Sequence, residues 1–154
     1  MDQITLRPIG TVRNSRAEPT DDGWDAIQSR IALDAGRFGP DALAGLDAFS
    51  HVEVLFAFHL VAEDAVNAGA RHPRGNLDWP RVGIFAQRGK DRPNRLGLCI
   101  CRLVGVKDTT ITVRGLDAVD GSPVIDIKPW MKGFSPRGEV REPDWAAEIM
   151  KDYW

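Results

Sequence analysis

Apolar residues recur with a period of two along most of the chain. In the run 51–60, Val52, Val54, Phe56, Phe58 and Leu60 fall on one face and His51, Glu53, Leu55, Ala57 and His59 on the other. That alternation predicts a half-buried strand. Residues 26–33 alternate in the same way, with Ile27, Ser29, Ile31 and Leu33 against Gln28, Arg30 and Ala32. Residues 4–13 read as a strand broken near Pro8, and further strands are expected at 81–87, 96–105, 109–115 and 123–128. On the last of these, strict alternation puts Val124, Asp126 and Lys128 on one face and Ile125 and Ile127 on the other. Helical signals are short. One or two turns fit 39–46, and a terminal helix fits 142–151 with Pro143 near its first position. Six or seven strands separated by Gly and Pro turns predict a mainly β chain: a single antiparallel β-barrel with short helices and a C-terminal helix. Residues 62–79 form a long polar connection, a class of segment that often carries function.

Composition narrows this picture without changing it. The 154 residues suit one domain with a core of its own. A hydrophobic share of 43% against 27% charged excludes wholesale disorder. No apolar run is long enough for a transmembrane helix, and Met1-Asp2-Gln3-Ile4 lacks the pattern of a signal peptide, so a cytoplasmic protein without a membrane partner is expected. Cys99 and Cys101 would share one face of a strand as small buried thiols. A lone CxC pair is a poor metal site, and no metal is expected.

Charge adds an asymmetry that the net value of −2 hides. Residues 71–95 carry seven basic side chains (Arg71, Arg74, Arg81, Arg88, Lys90, Arg92, Arg95) against two acidic ones (Asp78, Asp91), whereas residues 1–70 carry five basic and eleven acidic. Crowded like charges destabilise a bare loop, so a phosphate or carboxylate partner is expected at 84–97, where Gly89, Pro93, Asn94 and Gly97 suggest a preorganised turn. The plainer alternative is a solvated basic loop. Residues 14–25 bring Glu18, Asp21, Asp22, Asp25 and Trp24 together, as an acidic surface loop or as a lid over a cationic or purine-like ligand. His51, Glu53 and His59 share a strand face without a third metal ligand at a characteristic spacing. In 114–130, Asp117, Asp120 and Asp126 lie near Lys128, as a rim salt bridge or as a ligand clamp around Gly115. No nucleophile elbow, P-loop, dinucleotide-binding glycine motif or HExxH helix occurs.

Several motifs in fixed order carry a resemblance. They are Ile9-Gly10-Thr11-Val12-Arg13, Gly45-Leu46-Asp47-Ala48-Phe49-Ser50-His51 leading to Phe56-Ala57-Phe58-His59, Gly83-Ile84-Phe85-Ala86-Gln87-Arg88, Arg92-Pro93-Asn94 before Leu96-Gly97-Leu98, and the run from Gly115-Leu116-Asp117 to Ile127-Lys128-Pro129-Trp130. Over about 4–132 the chain resembles the TsaA-like, or TrmO-type, family of S-adenosylmethionine (SAM)-dependent tRNA adenine-N6 methyltransferases, with 133–154 left as a C-terminal tail and helix of one 1–154 domain. The resemblance implies SAM as donor, a homodimer with the site near the subunit interface, and a tRNA adenine beside the anticodon carrying a threonylcarbamoyl group. It implies SAM contacts at Pro19, Thr20, Asp21, His59, Leu60, Arg88, Leu98, Gly115, Leu116 and Asp117. Arg95 stands where the family motif has a second proline.

Methyl transfer is an in-line displacement, so positioning contributes much of the rate. The acylated adenine nitrogen needs its proton removed or hydrogen-bonded during attack. His59 and Asp126 are the catalytic candidates, with Glu53 a further one. The sulfonium loses its charge in the transition state, so a tight carboxylate contact there would favour the ground state; Asp117 suits the ribose or amino group instead. Arg92, Asn94, Arg95 and Lys128 are candidates for holding RNA. The competing expectation is a SAM-binding barrel that methylates a small molecule or senses SAM.

Overall fold

The computed structural model describes residues 3–154; Met1 and Asp2 of the N-terminal tetrapeptide lie outside them. The strands are β1 (Gly10–Arg13), β2 (Gln28–Leu33), β3 (His51–Ala57), β4 (Ala70–Arg71), β5 (Val82–Gly83), β6 (Leu96–Lys107), β7 (Thr110–Arg114) and β8 (Pro123–Pro129), followed by one α-helix, α1 (Asp144–Ile149). Six of them close into a barrel in the order β1-β2-β7-β6-β3-β8, while β4 and β5 form a separate two-stranded sheet. All pairings are antiparallel, and Gly10 opposite Val124 and Thr11 opposite Pro123 make the closing seam. The expected fold class is therefore the observed one.

Alternation builds the core as anticipated. Val52, Val54 and Phe56 of β3 point inward, together with Ile31 of β2 and Ile111 and Val113 of β7. Cys99 and Cys101 share the inner face of β6 and are free thiols. Two glycines are required by close approach. A Cβ on Gly10 would sit 2.5 Å from the Ala32 carbonyl oxygen, and one on Gly97 would sit 2.7 Å from Phe56 Cε2 and 2.8 Å from Phe58 Cζ.

Departures from strict alternation have local causes. The strand at 4–13 begins only at Gly10, after Pro8, which has no N–H to donate to a ladder. The run 51–60 stops pairing at Ala57: Phe58 N–H donates to the Arg95 carbonyl, the chain turns, and Leu60 ends up 55% exposed instead of facing the core. The expected strand at 81–87 is reduced to Val82–Gly83 and then becomes a 3-10 turn, Ile84–Ala86, that buries Ile84 and exposes Phe85. In β8 a bulge shifts the register: Phe56 opposes Val124, Leu55 opposes Asp126, and Val54 opposes Ile127. The extra residue puts Val124 and Ile127 both on the inner side and leaves Asp126 and Lys128 on the outer wall, so Val124 does not share their face. The stretch 39–46 contains a 3-10 turn, Pro40–Leu43, and begins another, Leu46–Ala48. The terminal helix is shorter than expected. No helix among the described residues is long and apolar enough to cross a membrane.

Gly97→Ala forces a methyl against two phenyl rings. It should destabilise the fold by about 1–3 kcal/mol, read as a lower urea midpoint with an unchanged slope.

Candidate functional site

The antiparallel order sends alternate connections to opposite ends of the barrel. Arg13 opposes Arg30, Gln28 opposes Arg114 and Ala57 opposes Leu96, so the loops 14–27, 58–95 and 115–122 all emerge at one end. Pro19, Thr20, Asp21, His59, Leu60, Arg88, Gly115, Leu116 and Asp117 lie on these three loops, as do Arg92, Asn94 and Arg95; Leu98 lies at the adjoining start of β6. Asp126 and Lys128 are not part of this cluster. They pair with each other on β8, opposite Leu55 and Glu53, and Asp126 borders an apolar groove lined by Phe38, Leu43, Leu46, Phe49 and Ile127 at the other end.

Hydrogen bonds lock the three loops together. Asn14 donates through its amide nitrogen to Asp120 Oδ1 at 3.0 Å, and through Nδ2 to Ser29 Oγ at 2.9 Å and the Ala118 carbonyl at 2.8 Å. Arg16 donates to the carbonyls of Asp22 (2.7 Å) and Gly23 (3.1 Å), and its guanidinium lies 4.2 Å above the Trp24 ring. Trp24 is buried, so its indole is a structural anchor under Arg16, which favours the acidic surface loop over the lid among the two readings of 14–25.

The basic stretch finds its partners within the protein. Arg71 forms a double hydrogen bond to Asp91. Arg74 reaches Asp22 at 2.7 Å, and Lys90 reaches Asp21 at 3.7 Å. Arg92 Nη1 donates to the Gln87 carbonyl at 3.0 Å, Arg95 Nη1 to the Val61 carbonyl at 2.8 Å, and Arg88 to the Leu98 carbonyl. Acidic residues of 14–25 and 91 supply countercharge to Arg71, Arg74 and Lys90, whereas Arg88, Arg92 and Arg95 meet only backbone carbonyls and keep a net positive rim. Strain is nonetheless present: Asn94 (φ 64°) and Arg95 (φ 50°) sit consecutively in the left-handed region. Such a conformation in two consecutive non-glycine residues is held by the surrounding structure.

The third loop is the innermost. Gly115, at φ 79°, begins it, and the Cys99 thiol lies 3.2 Å from the Gly115 carbonyl. Leu116 is fully buried and anchors the loop in the core. Asp117 Oδ2 accepts from the Tyr153 hydroxyl at 2.5 Å, while Oδ1 is buried and has no partner. His59 Nε2 faces Gly121, where an added Cβ would stand 3.5 Å away. A half-satisfied buried carboxylate beside a glycine turn fits a ligand carrying hydroxyl or ammonium donors, as SAM does. Among the described residues no three His, Cys, Asp or Glu side chains gather closely enough to hold a metal ion. The sequence reading had no role for Tyr153. Its only signal was an aromatic pair, Tyr153-Trp154, closing a polar tail.

Two tests follow from these environments. Burial alone would raise the Asp91 carboxyl, but the Arg71 hydrogen bond and charge outweigh it and hold it below the usual range. A depressed folded value gives stability that is present above the unfolded carboxyl pKa and lost as pH falls through the folded one. Asp91→Asn should therefore lower the denaturation midpoint at pH 7, with the gap to wild type narrowing below about pH 4. Burial, reinforced by the Asp117 charge, raises the Cys101 thiol to about 12 and the Cys99 thiol further. Neither should react with a thiol reagent at pH 8 until the protein is unfolded.

Comparison with known proteins agrees with this architecture. Residues 13–135 match the model of the tRNA-methyltransferase O N-terminal domain. The chain is 45% identical over 142 residues to the tRNA (adenine(37)-N6)-methyltransferase of Escherichia coli K12, covering 85% of this chain and 59% of that protein. It is 36% identical over 140 residues to the "Probable S-adenosyl-L-methionine-binding protein" of Methanothermobacter thermautotrophicus, covering 88% of this chain and 96% of that one. The crystal structure of TrmO from Pseudomonas aeruginosa superposes with a TM-score of 0.73 at 29% identity, over 91% of this chain and 61% of that chain. The chain thus spans under two thirds of the bacterial methyltransferases but nearly all of the archaeal relative. By the family model and by these identities, it belongs to the tRNA-methyltransferase O N-terminal domain family.

Proposed function

We propose that this chain is a SAM-dependent methyltransferase that acts on N6 of threonylcarbamoyladenosine beside the tRNA anticodon, in the cytoplasm and without a metal. The carrying observation is Asp117, at the loop end of the barrel, whose carboxylate keeps one buried oxygen without a partner. Similarity to the E. coli tRNA methyltransferase supplies the acceptor class, and similarity to the archaeal SAM-binding protein supports the donor. The whole 1–154 chain acts as one domain in this reading.

The residues divide the work by position. Asp117 Oδ1 accepts from the ribose or amino group of the donor, the backbone at Gly115 and Leu116 lies along it, and Arg88, His59, Leu60 and Leu98 complete the rim. Pro19, Thr20 and Asp21 close the rim from the first loop, with Asp21 held by Lys90 and Arg74. SAM supplies an electrophilic methyl group. His59 is the base for the acylated N6 proton, and the strained Arg92-Pro93-Asn94-Arg95 turn presents the RNA contact. Asp126 and Lys128, paired on the wall, lie apart from this loop cluster within one copy of the chain.

A second copy of the chain fits the outer face of β6. Leu98, Ile100 and Val104 alternate there at 47%, 50% and 52% exposure, an apolar strip in need of cover. Leu98 is also a donor-site residue, so the homodimer interface borders the site. One observation favours the alternative of a small-molecule acceptor or a SAM sensor: Asp21, Asp22 and Asp91 already neutralise much of the basic stretch.

Calorimetric titration should show saturable SAM binding and none of ATP. Asp117→Asn should weaken SAM binding roughly tenfold or more. Methyl transfer should require tRNA bearing the threonylcarbamoyl group and fall about 100-fold or more in His59→Ala. Arg92→Ala should weaken tRNA binding with a shallower salt dependence and leave SAM affinity unchanged. Folded protein that binds no SAM overturns the proposal; SAM binding without transfer to tRNA leaves the alternative.

A further inference from the structure

Residues 148–154 touch all three loops of the site end. The Gly23 amide donates to the Asp152 carbonyl at 3.1 Å and the Trp24 amide to the Tyr153 carbonyl at 2.9 Å, which fastens the segment to loop 14–27. One turn earlier, Glu148 of α1 accepts from Trp79 Nε1 at 2.6 Å, which fastens the helix to loop 58–95. The Tyr153 hydroxyl then reaches Asp117 of loop 115–122. Trp154 packs edge-on against Tyr153, with ring centroids 4.9 Å apart. Burial and the neighbouring Asp117 charge raise the phenol well above its ordinary range, so it remains a protonated donor.

These contacts leave Asp117 in an unusual state. Oδ2 is held by the phenol, and Oδ1 is closed off from solvent with no donor. A buried carboxylate oxygen left unmatched is costly, and beyond the phenol only the weakly donating Cys99 thiol lies near this carboxylate. A donor group that reaches Oδ1 would lie beside residues 150–154 while these are seated against the loops.

We infer that Tyr153 is a positioning residue of the donor site and that residues 150–154 are its closing wall: the phenol fixes one Asp117 oxygen so that the other receives a hydroxyl or ammonium donor of the enclosed ligand. The inference rests on the donor-site reading above. It makes the segment a functional part of the site, acting mainly on how long the ligand stays.

The test is SAM association and dissociation for the full chain as wild type, Tyr153→Phe, Asp117→Asn and the double variant. Hydrogen exchange at the Gly23 and Trp24 amides is followed with and without SAM. Tyr153→Phe should weaken SAM binding about tenfold, chiefly through faster dissociation. In the Asp117→Asn background the same change should add little, because the two groups act as one unit. SAM should slow exchange at Gly23 and Trp24 in wild type and less so in Tyr153→Phe. Unchanged affinity in Tyr153→Phe, or effects that simply add in the double variant, would reduce Tyr153 to a packing residue and overturn the inference. Tighter binding in Tyr153→Phe would make the segment a plug and overturn it equally. Wild-type protein that binds no SAM instead overturns the donor-site reading, and this inference falls with it.

Discussion

The structure depends on β6 serving two neighbours in succession. Its first half pairs with β3, from Leu96 opposite Ala57 to Arg102 opposite His51, and its second half pairs with β7, from Arg102 opposite Arg114 to Lys107 opposite Thr110. The handover at Arg102 joins two halves that would otherwise expose unpaired N–H and C=O groups along an edge. It also demands that one alternation hold across the partner change, interrupted only by the slip between Leu103 and Gly105. Gly97 makes room for Phe56 and Phe58 where the strand begins, and the buried thiols of Cys99 and Cys101 keep the inner face small and apolar at its middle. Closure in this order gathers the loops 14–27, 58–95 and 115–122 at one end, and the candidate site follows from that topology.

Electrostatics then organises the loops instead of the barrel. The acidic excess of the first half and the basic stretch at 71–95 look like two separate features along the sequence. In three dimensions they meet: Asp22 with Arg74, Asp21 with Lys90, and Asp91 with Arg71. Individually, the exposed Asp21–Lys90 and Asp22–Arg74 pairs contribute little, whereas Asp91–Arg71 is part-buried and doubly hydrogen-bonded. Together with the carbonyls that hold Arg88, Arg92 and Arg95, they keep a long, strand-poor segment in one conformation, including the left-handed pair Asn94-Arg95. The cost of that conformation is met by its surroundings, which is the physical meaning of a preorganised turn.

Much of this was legible in the sequence because period-two patterning survives wherever a strand is buried on one face. β2, β3, β6 and β7 are the clearest cases. What alternation could not show was where the pattern breaks. The bulge in β8 moves Asp126 and Lys128 to the outer wall without altering composition, and the turn at Phe58 removes Leu60 from the core through one backbone hydrogen bond to Arg95. The motifs around Gly115, Arg88 and Pro93 all fall at one end of the barrel, where the three loops gather. Tyr153 was illegible, because its role depends on a contact 36 residues away with Asp117 and on backbone bonds to Gly23 and Trp24 that no local pattern encodes. Trp24 is the reverse case: an indole among acidic residues leaves a ligand contact open in the sequence, and its burial under Arg16 closes that alternative.

The central claim is that the donor binds at the loop end of the barrel, against Asp117, and not in the apolar groove beside Leu43 and Asp126 at the other end. The most direct measurement is the map of amide chemical-shift changes when SAM is titrated into isotopically labelled protein. The account predicts saturable shifts concentrated at Gly115, Leu116 and Asp117, at Arg88 and Leu98, and at Trp24 and Tyr153, with Leu33, Leu43 and Ile127 unmoved. Shifts centred on the Leu43 groove, or spread over the wall without saturation, would contradict it.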